Sequence, residues 1–393
     1  MREQTKPTTA KCNCNLYTLY LLAEPKYVSC LRLAEIMADL SHDSVNRFLL
    51  REKYTPKDLF DEVKHGSFKN SLLELNKIID WSSFLPILNK AFNKEKKSTG
   101  GRKSYDRILM LKIIILQTQY NLSDDQTEYQ IYDRRSFREF LGLSIGDDIP
   151  DAKTIWLFKD ELAKKGTVEK LFTHFGEQLN GNGYRAQKGQ IIDASIIPAP
   201  KQRNSHKENA QIKEGVVPEA WKEQPNKLEQ KDTDARWTKK NDISYYGYKN
   251  HVDVDVKHKL IRDYEITHAA VHDSQVVDEI IDPHNTNADV YADSAYRSAA
   301  QEEKFATDGY RSKVHHKGTK AKPLSEFKQE VNHHRSKVRA KVEHIFGNQM
   351  MMMGSKLMRC IGMTRAKACI GLRNLVYNMH RFAFLSKLQA KSA

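Results

Sequence analysis

Cysteine is scarce. The five at positions 12, 14, 30, 360 and 369 of a 393-residue chain are too few and too irregularly spaced for a disulfide framework. Cys12 and Cys14 have no second close pair to complete a zinc site, and a reducing cytoplasm fits such usage. Long apolar runs are missing too: the longest, over residues 108–116, is interrupted by Lys112 and falls well short of the roughly 20 residues that span a bilayer. The first residues hold no apolar core ending in small side chains, so no signal peptide is expected and the protein is expected in the cytoplasm, with no membrane partner. Acid is in deficit. Against 64 Lys and Arg stand 50 Asp and Glu, a formal charge of +14 that points to an anionic polymer. Ribosome-associated and membrane-surface proteins share that balance, so charge alone does not choose among them.

The length allows two or three domains, and 39% hydrophobic content is enough for a core. Residues 16–60 read as short helices, and Ser44, Asn46, Arg47 and Arg51 would face a major groove if they form a helix-turn-helix; a plain helical hairpin fits the pattern equally well. Residues 1–70 are therefore expected as a helical segment, and 71–185 as a helical domain. A basic, glycine-containing linker at 94–104 joins the apolar helix of Trp81, Phe84, Leu85 and Leu88 to a long helix over 105–120. Shorter helices are expected at 124–132, 136–141 and 151–163.

The pattern changes at Gly189. The β-branched run QIIDASII reads as a buried strand, 245–256 and 260–267 as a hairpin, and ADVYAD as a further strand. Between them, 201–242 is highly charged with little periodicity and reads as a long solvated loop or an insertion. Helices are expected after Asp273, over 324–347 and over 364–385. Strands alternating with helices predict an α/β domain over 186–388 behind a helical one.

Hydrolysis of a phosphodiester needs an activated water or hydroxyl, a stabiliser of transition-state charge and help for the leaving oxygen. Hard divalent cations about 4 Å apart can supply all three, and they bind carboxylate oxygens. Asp193 lies within the apolar strand, where its charge is costly unless a cation compensates it. Asp293 ends the DVYAD segment before the small residues Ser294 and Ala295. Glu343 follows a basic stretch, and Arg335, Arg339 and Glu343 would share one face of a continuous helix. Taken singly, each has a duller reading as a strand-edge acid or a surface ion pair. Nothing local shows that three acids so far apart meet.

IIDASIIPAP, DVYADSAY and VRAKVEHIFG resemble the three blocks that hold the catalytic Asp, Asp and Glu of insertion-sequence transposases of family five, a DDE branch. The resemblance runs collinearly over about residues 80–385, through GRKSYDRILMLKIIILQTQY, IPDAKTIWLFKDEL, DARWTKKNDISYYGYKNHVDVD and RCIGMTRAKACIGLRNLVYNMHR. Residues 10–65 resemble the start of a different insertion-sequence transposase group. The likeness implies a ribonuclease-H-like catalytic domain, a mixed sheet flanked by helices, with Asp193, Asp293 and Glu343 as both catalytic and metal-binding triad. It implies that Asp193 bridges two Mg²⁺ ions, Mn²⁺ being an alternative, while Asp293 and Glu343 each hold one. Water would then attack at the transposon end, and the freed 3′ hydroxyl would attack target DNA. Double-stranded DNA, as terminal inverted repeats and target, is the implied partner, with at least a dimer holding two ends and a nucleoid location. A non-catalytic repressor derived from a transposase is the alternative, and a simple metal nuclease a third reading.

Arg339 is the residue the resemblance casts as a phosphate contact, with Arg335 and Lys341 beside it. Three residues before that arginine, where relatives often carry tyrosine, stands Ser336; about seven after the glutamate, in place of their lysine, stands Met350. Lys201, Arg203, Arg236, Lys239, Lys240 and Lys249 surround the first strands and are candidates to track the DNA backbone. Trp237 is a candidate to stack on an unpaired base, Tyr245 more simply a packing residue. Tyr296 beside Asp293 offers a weaker tyrosine-recombinase reading. His251, His268 and His272 resemble a metal cluster only superficially, and 350–353 reads as an apolar turn or packing segment.

Overall fold

The computed structural model describes residues 71–93, 104–319, 323–354 and 357–392, apart from 145 and 241. The expected helix-turn-helix, with Asn46 and Arg47, and most of the basic linker lie outside the described residues.

Among the described residues seven helices come first: α1 (Ser71–Ile78), α2 (Leu85–Phe92), α3 (Arg107–Tyr120), α4 (Asp124–Asp133), α5 (Arg135–Leu141), α6 (Ala152–Lys164) and α7 (Thr167–Gly181). Their ends follow local chemistry. Asp106 caps α3 by accepting from Leu109 N, Asn121 ends it in the left-handed region at φ 51°, and Ser123 with Gln126 forms a capping box on α4. Helix α3 is buried along most of its length, which explains why its sequence is apolar on nearly every side.

A six-stranded mixed sheet follows: β1 (Gln190–Pro198), β2 (Arg236–Lys240), β3 (Ile243–Asp255), β4 (Ile261–His268), β5 (Asp289–Tyr291) and β6 (Arg311–Ser312). Strand β3 runs antiparallel to β1, β2 and β4, while β5 lies parallel to β1 and β6 parallel to β5. Discounting β2, which extends the edge of β3, the order β4-β3-β1-β5-β6 is the ribonuclease-H-like arrangement. Successive side chains of β1 enter opposite layers: Ile191 joins the larger core and Ile192 a smaller one with Val277, Val290 and Phe305. The larger core runs from Leu72 to Ala383 and holds the seven helices, one face of the sheet and the terminal helix (Met363–Ser392) together. The boundary expected at 185/186 therefore separates kinds of element rather than cores, and residues 70–393 form one compact unit.

Residues 201–242 are not the solvated loop expected. They fold as α8 (His206–Lys213), α9 (Glu219–Lys222), α10 (Pro225–Glu229) and β2. Ser205 and Glu208 make a capping box on α8, and Glu208 also accepts from Nε1 of the fully buried Trp221 at 2.7 Å. Buried Asp232 anchors the return: Tyr248 donates its hydroxyl to that carboxylate at 2.7 Å, and Tyr246 donates to the Asp232 carbonyl. Helices of four to eight residues are too short to show a period, so one tryptophan supplies the core that the pattern hid. Trp221→Ala is expected to cost about 3–5 kcal/mol. It should open 201–235 to limited proteolysis, read by mass spectrometry, before the rest of the chain.

The segment after Asp273 forms a 3₁₀ turn and one helical turn, α11 (Val277–Ile280), rather than a full helix. Helix α12 (Ala299–Thr307) follows β5. The single helix expected over 324–347 is two: α13 (Glu326–Arg339) and α14 (Glu343–Met352), with the break at 340–342. Residues 350–352 complete α14 with exposed methionines and only Met353 is buried, so this stretch is a helix end rather than a turn. Terminal helix α15 (Met363–Ser392) is longer than expected.

Candidate active site

Parallel pairing of β1 with β5 sets Gln190 opposite Val290 and Ile191 opposite Tyr291. Carried two residues further, that register brings Asp193 level with Asp293. Asp193 sits inside β1 opposite Val252 of β3, with only 9% of its surface exposed. Asp293 lies just past β5 and caps the 3₁₀ turn Ser294–Tyr296, its Oδ1 accepting from Ala295 N at 2.7 Å. Glu343 is the first residue of α14, its side chain exposed above a base of buried Val342 and Ile345.

Asp193 feels the other two acids. Burial drives the Asp193 carboxyl up to about 6, and the charges of Asp293 and Glu343 push the same way, against the pull of Arg339. Arg339, closing α13, donates from Nη1 to Asp193 Oδ2 at 2.7 Å, while its Nε is buried without a partner. Asp193 Oδ1 accepts from Ala194 N at 2.8 Å. One guanidinium thus offsets part of the charge on Asp193. Among the described residues no three acidic, histidine or cysteine side chains are already gathered as a metal cage. The compensating cation beside Asp193 is Arg339.

The break at 340–342 overturns the single helix face expected for Arg335, Arg339 and Glu343. Arg335 spends Nη1 on the Val314 carbonyl at 2.5 Å, and Lys341 donates to the Val256 carbonyl at 3.1 Å. Arg236 is stitched to the carbonyls of Thr233, Ala235 and Ile212, so it holds the 201–242 fold together. Lys249 does not reach the surface: it is buried, donating to the Val271 carbonyl and to Asp273 at 2.8 Å. Strand β3 is buried on both faces from Tyr246 to Asp255, so no side chain in that stretch, this lysine included, has a solvent face. Lys201, Arg203, Lys239 and Lys240 do remain exposed, Lys239 beside Asp242. Lys201 lies 5.8 Å from the centroid of the exposed Trp237 ring, which also leans on Tyr246. Tyr245 is half-buried.

Histidines 251, 268 and 272 form no metal group. His251 is buried against Thr267 and held neutral by burial, and His272 bonds with Ser274. Tyr296 is buried with its hydroxyl unpartnered, and burial with the nearby acids holds the phenol far above its usual range, the opposite of what a nucleophile needs. His315 went unnoticed in the sequence. It follows β6, its backbone N–H donates to the Ala292 carbonyl, its ring meets Ser336, and it feels both Arg339 and Asp293. No motif marks it; only the pairing of β6 with β5 brings it there.

A ribonuclease-H-like sheet with acids on its first strand, after the adjacent parallel strand and on a following helix defines a class of nucleic-acid-processing proteins. Residues 59–161 match the family described as Transposase domain (DUF772), and residues 184–379 match Transposase DDE domain. The chain belongs to the DDE transposases. Among solved structures it is similar to the piggyBac transposase synaptic complex with hairpin DNA, at 12% identity, over 81% of this chain and 73% of that one, with a TM-score of 0.41. Among the described residues no helix is long and apolar enough to cross a membrane.

Proposed function

We propose that the protein binds the terminal inverted repeats of an insertion sequence and, with divalent cations, cuts DNA strands and joins them to target DNA. The observation that carries the reading is that Asp193 within β1 feels the charge of Asp293, just past the parallel neighbour β5, and that the Glu343 charge acts on the same buried carboxyl. These are hard oxygen donors, and their surplus negative charge over Arg339 suits Mg²⁺ or Mn²⁺. A bound divalent pair supplies Lewis acidity toward the phosphodiester and a more acidic water.

The side chains divide the remaining work. Asp193, Asp293 and Glu343 hold the cations, Asp293 with one oxygen already fixed by Ala295 N. Arg339, whose Nε lacks a partner, is poised to take a phosphate oxygen once Asp193 turns to metal. Exposed Lys201, Arg203, Lys239 and Lys240 line the 201–242 fold and track the backbone, giving binding a steep salt dependence. Arg335, Lys341 and Arg236 support this from within by fixing loops, and residues 71–185 with Asn46 and Arg47 engage DNA beyond the cleavage point. Two ends held for joining require at least a dimer.

A test uses Mg²⁺ and labelled duplexes carrying the inverted repeats that flank the gene. Joined strands are expected. Hydrolysis without joining would identify a plain nuclease, and binding without any cleavage a repressor; either result refutes the proposal.

A further inference from the structure

Away from the acids, a cavity of about 440 Å³ opens between α3, α6 and α15, within the range of small-ligand sites. Arg373 of α15 lines it, only 8% exposed, its Nη1 without a hydrogen-bond partner. A guanidinium buried this deeply ordinarily has a carboxylate beside it. Here no carboxylate is among the groups acting on it, which are the thiols of Cys369 and Cys360 and a second cation, Arg359. Of the acids that line the cavity, Asp124 is engaged by Lys159 and Asp160 by Lys164 and Arg365, and the third, Glu229, is exposed to solvent and does not act on Arg373.

The rest of the lining is apolar on one side and aromatic at the rim. Leu372, Met353 and Met358 form the apolar wall, and Trp156 is 41% exposed. An uncompensated guanidinium inside, a flat indole at the mouth and exposed Arg359 beside it suit a ligand with a planar body and an anionic end. We infer that this cavity is a binding site for a nucleoside phosphate, its phosphate on Arg373 and Arg359 and its base against Trp156. The phosphate has two sources, a free nucleotide or the terminus of a DNA strand.

The position of the cavity gives its occupant leverage. Met353 caps α14, the helix that Glu343 begins. Asn374, next to Arg373, exchanges hydrogen bonds with Asn250 of β3 at 2.9 and 3.1 Å and accepts from Gln349 of α14 at 2.8 Å. A ligand on Arg373 therefore braces α14 from its far end.

The experiment is binding to the full chain, followed by Trp156 fluorescence and by alkylation of Cys369, which also lines the cavity. Deoxyadenosine monophosphate should quench the signal that Trp156→Phe removes, and slow Cys369 alkylation about tenfold at ten times Kd. Inorganic phosphate and unphosphorylated deoxyadenosine should each bind about tenfold more weakly, as should Arg373→Gln. Competition by a 5′-phosphorylated oligonucleotide, but not its unphosphorylated form, would name the strand as source; a lack of competition would name the free nucleotide. If the monophosphate neither quenches Trp156 nor protects Cys369 in the unaltered protein, the inference fails, and that readout holds even if Arg373→Gln does not fold. Equal binding by inorganic phosphate, or undiminished binding to a folded Arg373→Gln, would overturn it as well. None of these measurements involves strand cleavage, so the inference and the proposed function fail independently.

Discussion

Asp193→Asn should abolish strand cleavage and joining, by roughly three orders of magnitude or more, while leaving the protein at least as stable near pH 7. The two effects share one cause. The carboxyl sits at about 6 instead of the ordinary 3.8 because burial penalises its charge more than Arg339 rewards it. For an acid with a raised value, the native state retains the proton where the unfolded chain has lost it. Stability therefore falls as pH rises between about 4 and 6, and above 6 the strain amounts to about 3 kcal/mol. Asparagine never acquires that charge, so thermal unfolding of the variant should be flatter across pH 4–6. Cleavage by the unaltered enzyme should rise as pH climbs through the same range, and because proton and cation compete for the same oxygens, more Mg²⁺ should move the midpoint down. Joining by Asp193→Asn at the wild-type rate would remove the basis of the proposed function.

The second large effect is expected at a residue with no side chain. Gly189 precedes β1 at φ 89°, and a Cβ there would meet the Asp289 carbonyl oxygen at 2.6 Å. Alanine would bring left-handed backbone strain and a clash with the neighbouring chain, together about 3 kcal/mol. The only relief is to part β1 from β5, the two strands whose register levels Asp193 with Asp293. Gly189→Ala should thus lower the melting temperature by several degrees and reduce joining by about a hundredfold, though no acid is touched. Full activity in a folded Gly189→Ala protein would show that this register does not set the geometry of the acids.

Much of this architecture is legible in local chemistry. QIIDASII announces a buried strand, and the helices expected over 105–120 and 124–132 form as α3 and α4. What stays hidden depends on distant partners. Trp221 gives no sign that it will hold three short helices together, and the β-branched spacing around Lys249 does not reveal that its amine turns inward to Asp273. The break after Arg339 is equally silent: VRAKVEH holds no glycine or proline to mark it, and the new helix starts where Val342 and Ile345 are buried. The acids themselves were nameable through resemblance, whereas their relation to one another follows from strand order.

Arg339 also bears on the order of events in the life of the chain. Carboxylates gathered with no counter-ion would repel one another during folding, and some small metal-binding domains stay unfolded until their ion arrives. Here a built-in guanidinium takes the first share of that repulsion through its 2.7 Å contact with Asp193. Such a polypeptide can fold before any ion arrives, and under the proposed function the supply of divalent cations would govern when it works rather than whether it folds.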